Sequence, residues 1–125
     1  MKTLFICLLL CVLCIPAFAQ ELPAPMQKVK EFCMKSEPDK DGDYVLRFDG
    51  QWQGFPVEYI MAYFPDFGIT GIGLVNESGS YVIQFQESTR TFSIYSNGAT
   101  FMIDEKLAIE RAFMIFRELV LAKIV

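Results

Sequence analysis

The chain contains no histidine in its 125 residues. Histidine is the most common general base and metal ligand near neutral pH. Its absence excludes Ser-His-Asp and Cys-His catalysis and the usual zinc sites. Carboxylates, tyrosine, lysine and cysteine are the catalytic groups left, and paired carboxylates have no recognisable spacing here. We therefore expect a protein that is not an enzyme, with no catalytic residue, no metal site and no cofactor.

Long apolar runs are also scarce, apart from one at the start of the chain. Residues 1–19 combine a lysine at position 2, an apolar run over 4–15 and the small-x-small triplet Ala17-Phe18-Ala19. This is the pattern of a secretory signal peptide that is cleaved before Gln20. The apolar run is too short to span a bilayer stably. We expect an exported chain whose mature part, residues 20–125, forms a single domain.

Cysteine becomes rarer still once the predicted signal is removed. Three of the four cysteines lie within residues 1–19, which leaves Cys33 as the one thiol of the mature chain. No intrachain disulfide can form, whereas small secreted animal domains usually depend on several. This favours a bacterial periplasm or cell exterior. The apolar face on which Cys33 falls favours a buried, inert thiol, although an unpaired cysteine in an oxidising compartment leaves a reactive or intermolecular role open.

Basic residues are outnumbered, with 11 Lys and Arg against 15 Asp and Glu. Loss of Lys2 with the signal takes the net charge from −4 to −5. Nucleic acids and anionic membrane surfaces are bound through clustered Lys and Arg, so we expect no nucleic-acid partner and no membrane association after signal cleavage. A basic partner protein is compatible with this charge.

Three turn motifs predict an antiparallel meander with one consistent apolar face. The turns are expected at 76–79, at 87–90 and at Asn97-Gly98, the last being a strong hairpin signal. A one-residue slip at any turn would move an apolar set to the other face. The predicted cross-strand pairs are Leu74–Tyr81, Ile72–Ile83, Phe85–Phe92, Ile83–Ile94, Ile94–Phe101 and Phe92–Ile103.

The first half of the sheet is less defined by pattern. Asp49-Gly50 predicts another hairpin turn. Apart from Glu58, the run Val57–Phe64 is apolar on both faces and is compatible with a buried strand or with a short helix that starts at Pro56. Its content of Tyr, Val, Ile and Phe favours the strand.

Helices are predicted at both ends of the mature chain. Apolar residues at three- and four-residue spacing indicate a helix over 25–36. A long helix should begin after the N-cap Asp104 and continue to Val125. The fold class is therefore α+β: an N-terminal helix, an antiparallel β-meander of about five to six strands and a long C-terminal helix, with both helices on one sheet face. The core-facing positions of the last helix are Ala108, Ala112, Ile115, Phe116, Leu119 and Ala122.

One acidic segment has the beginning of a calcium-loop pattern. Residues 37–43 place Glu37, Asp39 and Asp41 at alternate positions, followed by Gly42. The bidentate carboxylate of such loops is missing, because its position holds Phe48. A solvated acidic turn between helix and strand is the favoured interpretation.

Four residues are candidates for a partner surface. Leu107, Met114 and Leu121 recur every seven residues beside the charged side of the last helix, which is apolar over more of its circumference than one sheet needs. Trp52, the single tryptophan, lies in a glycine-flanked segment. It could be an exposed anchor for a partner, or it could cap the core.

These features predict a small exported non-enzymatic interaction protein. Its partner would be another protein, as in inhibitor- or immunity-like proteins, or a second copy in a homodimer. The alternative is a carrier of a small hydrophobic ligand in a cavity between sheet and helix. Phe113, Met114 and Phe116 would line such a cavity.

Overall fold

A computed structural model describes residues 21–125. The predicted signal peptide lies outside the described residues. The architecture is α+β, as the sequence predicts: two helices pack on a six-stranded antiparallel sheet. In chain order the elements are α1 (Ala24–Met34), β1 (Tyr44–Trp52), β2 (Phe55–Phe64), β3 (Ile69–Asn76), β4 (Gly79–Gln86), β5 (Thr91–Ser96), β6 (Ala99–Met102) and α2 (Glu105–Leu121).

The sheet is a simple meander in which each strand pairs with its neighbours in sequence. The predicted register is confirmed in β3, β4, β5 and β6, where five of the expected pairs face each other. Ile103 lies one residue beyond β6, and its amide donates to the Phe92 carbonyl at 3.3 Å. The prediction of strand for Val57–Phe64 is also confirmed, since it forms most of β2, a strand paired on both sides.

The hairpin turn predicted at Asp49-Gly50 is wrong. Both residues lie inside β1 and pair with Glu58 and Val57. The chain turns instead at Gln53-Gly54, whose φ angles of 52° and 86° suit a tight two-residue hairpin. Gly50 has another reason to be glycine, because a Cβ there would lie 2.7 Å from the Tyr59 ring.

The core lies between the helices and one sheet face. α1 buries Met26, Val29 and Cys33 against β1, β2 and β3, and α2 packs on β3 and β5. The buried residues of α2 are Ala108, Ala112, Ile115 and Leu119. Phe116 is only partly buried, and Ala122 is exposed because the helix ends at Leu121, before the predicted Val125.

The start of α2 follows the prediction. The carboxylate of Asp104 accepts a hydrogen bond from the Leu107 amide at 3.2 Å, which satisfies one of the free N–H groups of the first turn. At the neighbouring sheet edge, formed by β6, the apolar face of the sheet is no longer covered. Phe92 in β5 is buried, whereas Phe101 in β6 is 57% exposed although the register places both on the helix side.

Candidate functional site

A cleft opens between α2 and the end of the sheet where β1 turns into β2 and β3 turns into β4. Its volume is about 390 Å³, within the range of small-molecule binding sites. It is lined by Trp52, Leu74, Tyr81, Arg111, Met114 and Ile115. Two adjoining depressions of about 310 and 230 Å³ share Trp52 with it. Trp52 is therefore the centre of one continuous open surface.

The floor of the cleft comes from strand alternation. Leu74 and Tyr81 are a cross-strand pair of β3 and β4, and Trp52 ends β1 on the same, helix-side face. Phe55, the partner of Trp52 across the turn, is also on this face and is 70% exposed. The strands thus extend beyond the area that α2 covers and leave apolar side chains in the open.

The wall of the cleft comes from helix periodicity. Met114 and Ile115 lie three and four residues after Arg111, so that both neighbour it on one flank of α2. Ile115 is buried against the sheet, whereas Met114 is 52% exposed. This flank of α2 is therefore buried at Ile115, on the inner side of the cleft, and exposed at Met114, on the outer side.

The structure brings together two of the four residues predicted as a partner surface. Trp52 and Met114 line the same cleft. Leu107 and Leu121 lie about two helical turns to either side of Met114, are also exposed, and do not line it. Trp52 packs partly against the core, as one of the two sequence interpretations predicts, and it also lines the cleft. Its role as an anchor for a partner stays a prediction.

The cleft contains residues that the sequence analysis missed as site residues, namely Leu74, Tyr81 and Arg111. The predicted register already paired Leu74 with Tyr81, but it assigned both to the core. Only the position at which α2 crosses the sheet leaves them uncovered. No local sequence signal specifies that position.

Arg111 lies beside Tyr81 at the mouth of the cleft. Its Nη1 donates a hydrogen bond to Tyr81 Oη, and the guanidinium carbon lies 5.8 Å from the centre of the Tyr81 ring. The ion pairs among residues 21–125 are Lys30–Glu87 and Arg47–Glu58. Arg111 therefore has no carboxylate within 4 Å in this part of the chain.

The adjoining depression on the α2 side combines apolar side chains with charged groups of both signs. Gln53, Arg117 and Glu118 line it together with Trp52 and Met114. The Glu118 carboxylate also acts on a core group: burial, and secondarily Glu118, raise the pKa of the Tyr59 phenol. The Tyr59 hydroxyl donates to the Gln51 carbonyl, which fixes the ring beneath this end of the sheet.

Hydrogen bonds hold the far rim of the surface. The Asn97 side-chain oxygen accepts from the Ser80 amide at 2.9 Å, and the Ser80 hydroxyl accepts from the Asn97 amide at 3.1 Å. This reciprocal pair joins the β5–β6 turn to the first residues of β4. The rim is therefore polar and fixed, while the floor is apolar.

Cys33 is buried, as the sequence predicts. Burial raises the pKa of its thiol to about 12, so the thiol stays protonated at neutral pH. A protonated, enclosed thiol is a poor nucleophile.

The acidic segment forms a turn in which Asp39 Oδ1 accepts the amides of Asp41 and Asp43. Desolvation, followed by the charges of Asp39, Asp41 and Asp66, raises the pKa of Asp43. Within residues 21–125, no three His, Cys, Asp or Glu side chains are arranged to hold a metal ion.

No family model matches this chain. No curated protein and no solved structure matches it either. Of the helices in residues 21–125, none combines the length and the apolar character that a bilayer span requires.

Proposed function

We propose that this chain is a small exported binding protein, without enzymatic activity, that holds a partner protein at the cleft between α2 and the β1–β2 turn. The observation that carries the proposal is the meeting of Trp52 and Met114 in one open apolar cleft. Tryptophan and arginine are the commonest energetic anchors of protein interfaces. Methionine adapts its shape to many partners.

The extent of the exposed apolar surface favours a protein as the occupant. Phe55, Leu107 and Leu121 are exposed around the cleft without lining it. A small molecule would leave these side chains in water, whereas a protein segment can cover the cleft and its surroundings together. Contiguous exposed apolar surface on a small domain is typical of interaction sites.

Two features support the absence of enzymatic activity, and one supports export. The chain has no histidine, and its mature part has one thiol that burial keeps protonated. Export is supported by the signal pattern of residues 1–19. Given export, the lack of a second mature cysteine favours a bacterial periplasm or cell exterior over an animal extracellular setting. An inhibitor- or immunity-like role fits such a protein.

The test compares two methionines of equal exposure. Met114 lies in the cleft, while Met34, 54% exposed, ends α1 outside it. The partner is captured from the exported fraction of the producing cells, identified, purified and titrated against wild type, Met114→Glu and Met34→Glu. We expect at least about tenfold weaker binding for Met114→Glu, because a charge would replace an apolar contact, and unchanged binding for Met34→Glu.

Two outcomes bear on the partner's identity and on the proposal itself. A dimer in light scattering that Met114→Glu dissociates and Met34→Glu preserves would make the partner a second copy. Equal binding by all three proteins would contradict the proposed site.

A second candidate function, a carrier of a small hydrophobic ligand, is favoured by the position of the cleft between sheet and helix and by its volume. Native mass spectrometry of the protein from its own cells tests this directly. A bound mass that Met114→Glu abolishes would favour the carrier. A chain free of any small molecule, together with a protein partner, would exclude it.

A further inference from the structure

We infer that the cleft recognises an acidic apolar segment of the partner, in which one large apolar side chain lies between Trp52 and Met114 and a neighbouring carboxylate meets Arg111. The inference rests on the proposed function and specifies the chemistry of the occupant. It combines the shape of the cleft with the charge at its mouth.

The apolar half of the inference follows from the lining. Trp52 and Leu74 form the floor, Ile115 closes the inner side and Met114 the outer side. Ile115 is almost fully buried, so the inner end of the cleft is closed by an apolar side chain, while the outer end, at Met114, is open. A side chain that enters from the open end removes apolar surface on both partners from water, which is the main favourable term in association.

The charged half follows from Arg111. Its guanidinium is held in place by the Tyr81 hydroxyl and ring and has no carboxylate within 4 Å among the described residues. One hydrogen bond to Tyr81 leaves most of the five N–H donors free. A guanidinium held in this way loses little freedom when a carboxylate binds, and its planar fork matches a carboxylate in geometry.

Local charge and net charge lead to different partners. The acidic balance of the whole chain is compatible with a basic partner, but long-range attraction acts mainly on the rate of encounter. At the cleft, Arg111 lies at the mouth and Arg117 in the adjoining depression, with Glu118 as the one carboxylate among the lining residues of the two cavities. The groups in direct contact with the occupant therefore favour an acidic segment.

The test uses a displayed library of random tryptophan-free dodecapeptides, selected on the full mature protein and counter-selected on Met114→Gln, which adds no charge to the cleft. We expect the surviving peptides to share a large apolar residue with Asp or Glu within a few positions. The strongest peptide is then synthesised, together with a copy whose acidic residue is changed to its amide. Because Trp52 is the only tryptophan and lies in the cleft, its fluorescence reports binding.

Paired arginine and lysine variants separate charge from folding. Arg111→Gln should weaken binding of the acidic peptide about fivefold, the size expected for a partly exposed ion pair. It should leave binding of the amide copy unchanged. Added salt should reduce the same difference. Lys106→Gln removes one charge from the first turn of the same helix, outside the lining of the cleft, and should leave the binding of both peptides unchanged. Circular dichroism checks that both variants are folded.

The outcomes separate this inference from the proposed function. Apolar peptides with no acidic preference, or with a basic one, would overturn the inference and leave the binding site in place. An Arg111→Gln variant that binds the acidic peptide as tightly as wild type would also overturn the inference and leave the binding site in place. If no peptide distinguishes wild type from Met114→Gln, the proposed site itself fails.

Discussion

The two helices cover the same sheet face to different extents. At the α1 end, Met26, Val29 and Cys33 are fully buried. Lys30 covers this end of the sheet, with its Nζ 4.9 Å from the centre of the Tyr63 ring and 3.9 Å from a carboxylate oxygen of Glu87. At the α2 end, the strands extend past the helix and leave Trp52 and Met114 beside an open cleft.

This contrast separates residues that stabilise the fold from residues that are free to bind. Burial of apolar surface within the chain makes the closed end stable. Equivalent surface at the open end contributes little to the fold while it faces water. Substitutions at the two ends should therefore have different consequences, the closed end affecting stability and the open end affecting association.

The largest effect is expected for Val29→Asp at the closed end. Val29 is fully buried, and the variant would place a carboxylate in an apolar environment. Such changes cost about 4 kcal/mol or more, a large part of the stability of a small domain. Urea denaturation followed by circular dichroism measures the loss. A variant that unfolds at the wild-type urea concentration would show that the α1 end is not closed.

The next effect is a loss of folding stability at high pH that arises from the Cys33 thiol. Burial raises the pKa of its thiol from 9.0 to about 12 in the folded chain. The unfolded chain therefore loses this proton at lower pH than the folded chain does. The stabilising contribution is complete below about pH 9 and falls as the pH rises toward 12, by about 1.4 kcal/mol per pH unit at most.

Urea denaturation of wild type and Cys33→Ala between pH 8 and pH 11 measures that slope. We expect the wild type to lose stability more steeply above pH 9, so that the two curves converge. The Tyr59 phenol, whose pKa is also raised, contributes equally to both proteins and cancels in the difference. Parallel curves would mean that the thiol is hydrated in the folded state.

A smaller effect distinguishes two glycines near the open end. Gly50 leaves room for the Tyr59 ring, whereas Gly54 has a φ of 86° and open space around it. Asparagine tolerates the left-handed region, so Gly54→Asn should be nearly neutral. Gly50→Asn should cost about 1–3 kcal/mol through overpacking. Thermal unfolding measures both, and equal losses would contradict the assignment of the turn to Gln53-Gly54.

These glycines also show why sequence reasoning succeeded in one half of the sheet and failed in the other. The register from Ile72 to Phe101 was predictable because three turns independently placed apolar side chains on one face. Asp49-Gly50 matches a hairpin signal, but a glycine in such a pair has two explanations, backbone freedom and close packing. The contact that decides between them comes from Tyr59, nine residues away.

The candidate site was predictable only in part for a related reason. Periodicity identified Met114 as an apolar residue in excess of what the core needs, and composition identified Trp52 as unusual. Their meeting depends on where α2 crosses the sheet, and that position follows from the packing of α2 on α1, β3 and β5, elements that are distant in the sequence. Arg111 was missed because a lone arginine on a charged helix face is ordinary until a cleft lies beneath it.

The smallest expected effect on stability is at the cleft itself. Met114→Gln and Met34→Gln replace two methionines of nearly equal exposure, one in the cleft and one outside it. Both should change the free energy of unfolding by less than about 0.5 kcal/mol, as exposed substitutions usually do. If Met114→Gln cost as much as a core substitution, the cleft would be part of the core, and its apolar lining would be explained by folding alone. Two neutral substitutions would instead mean that folding does not require an apolar side chain at position 114, so that the apolar lining of the cleft is free for association.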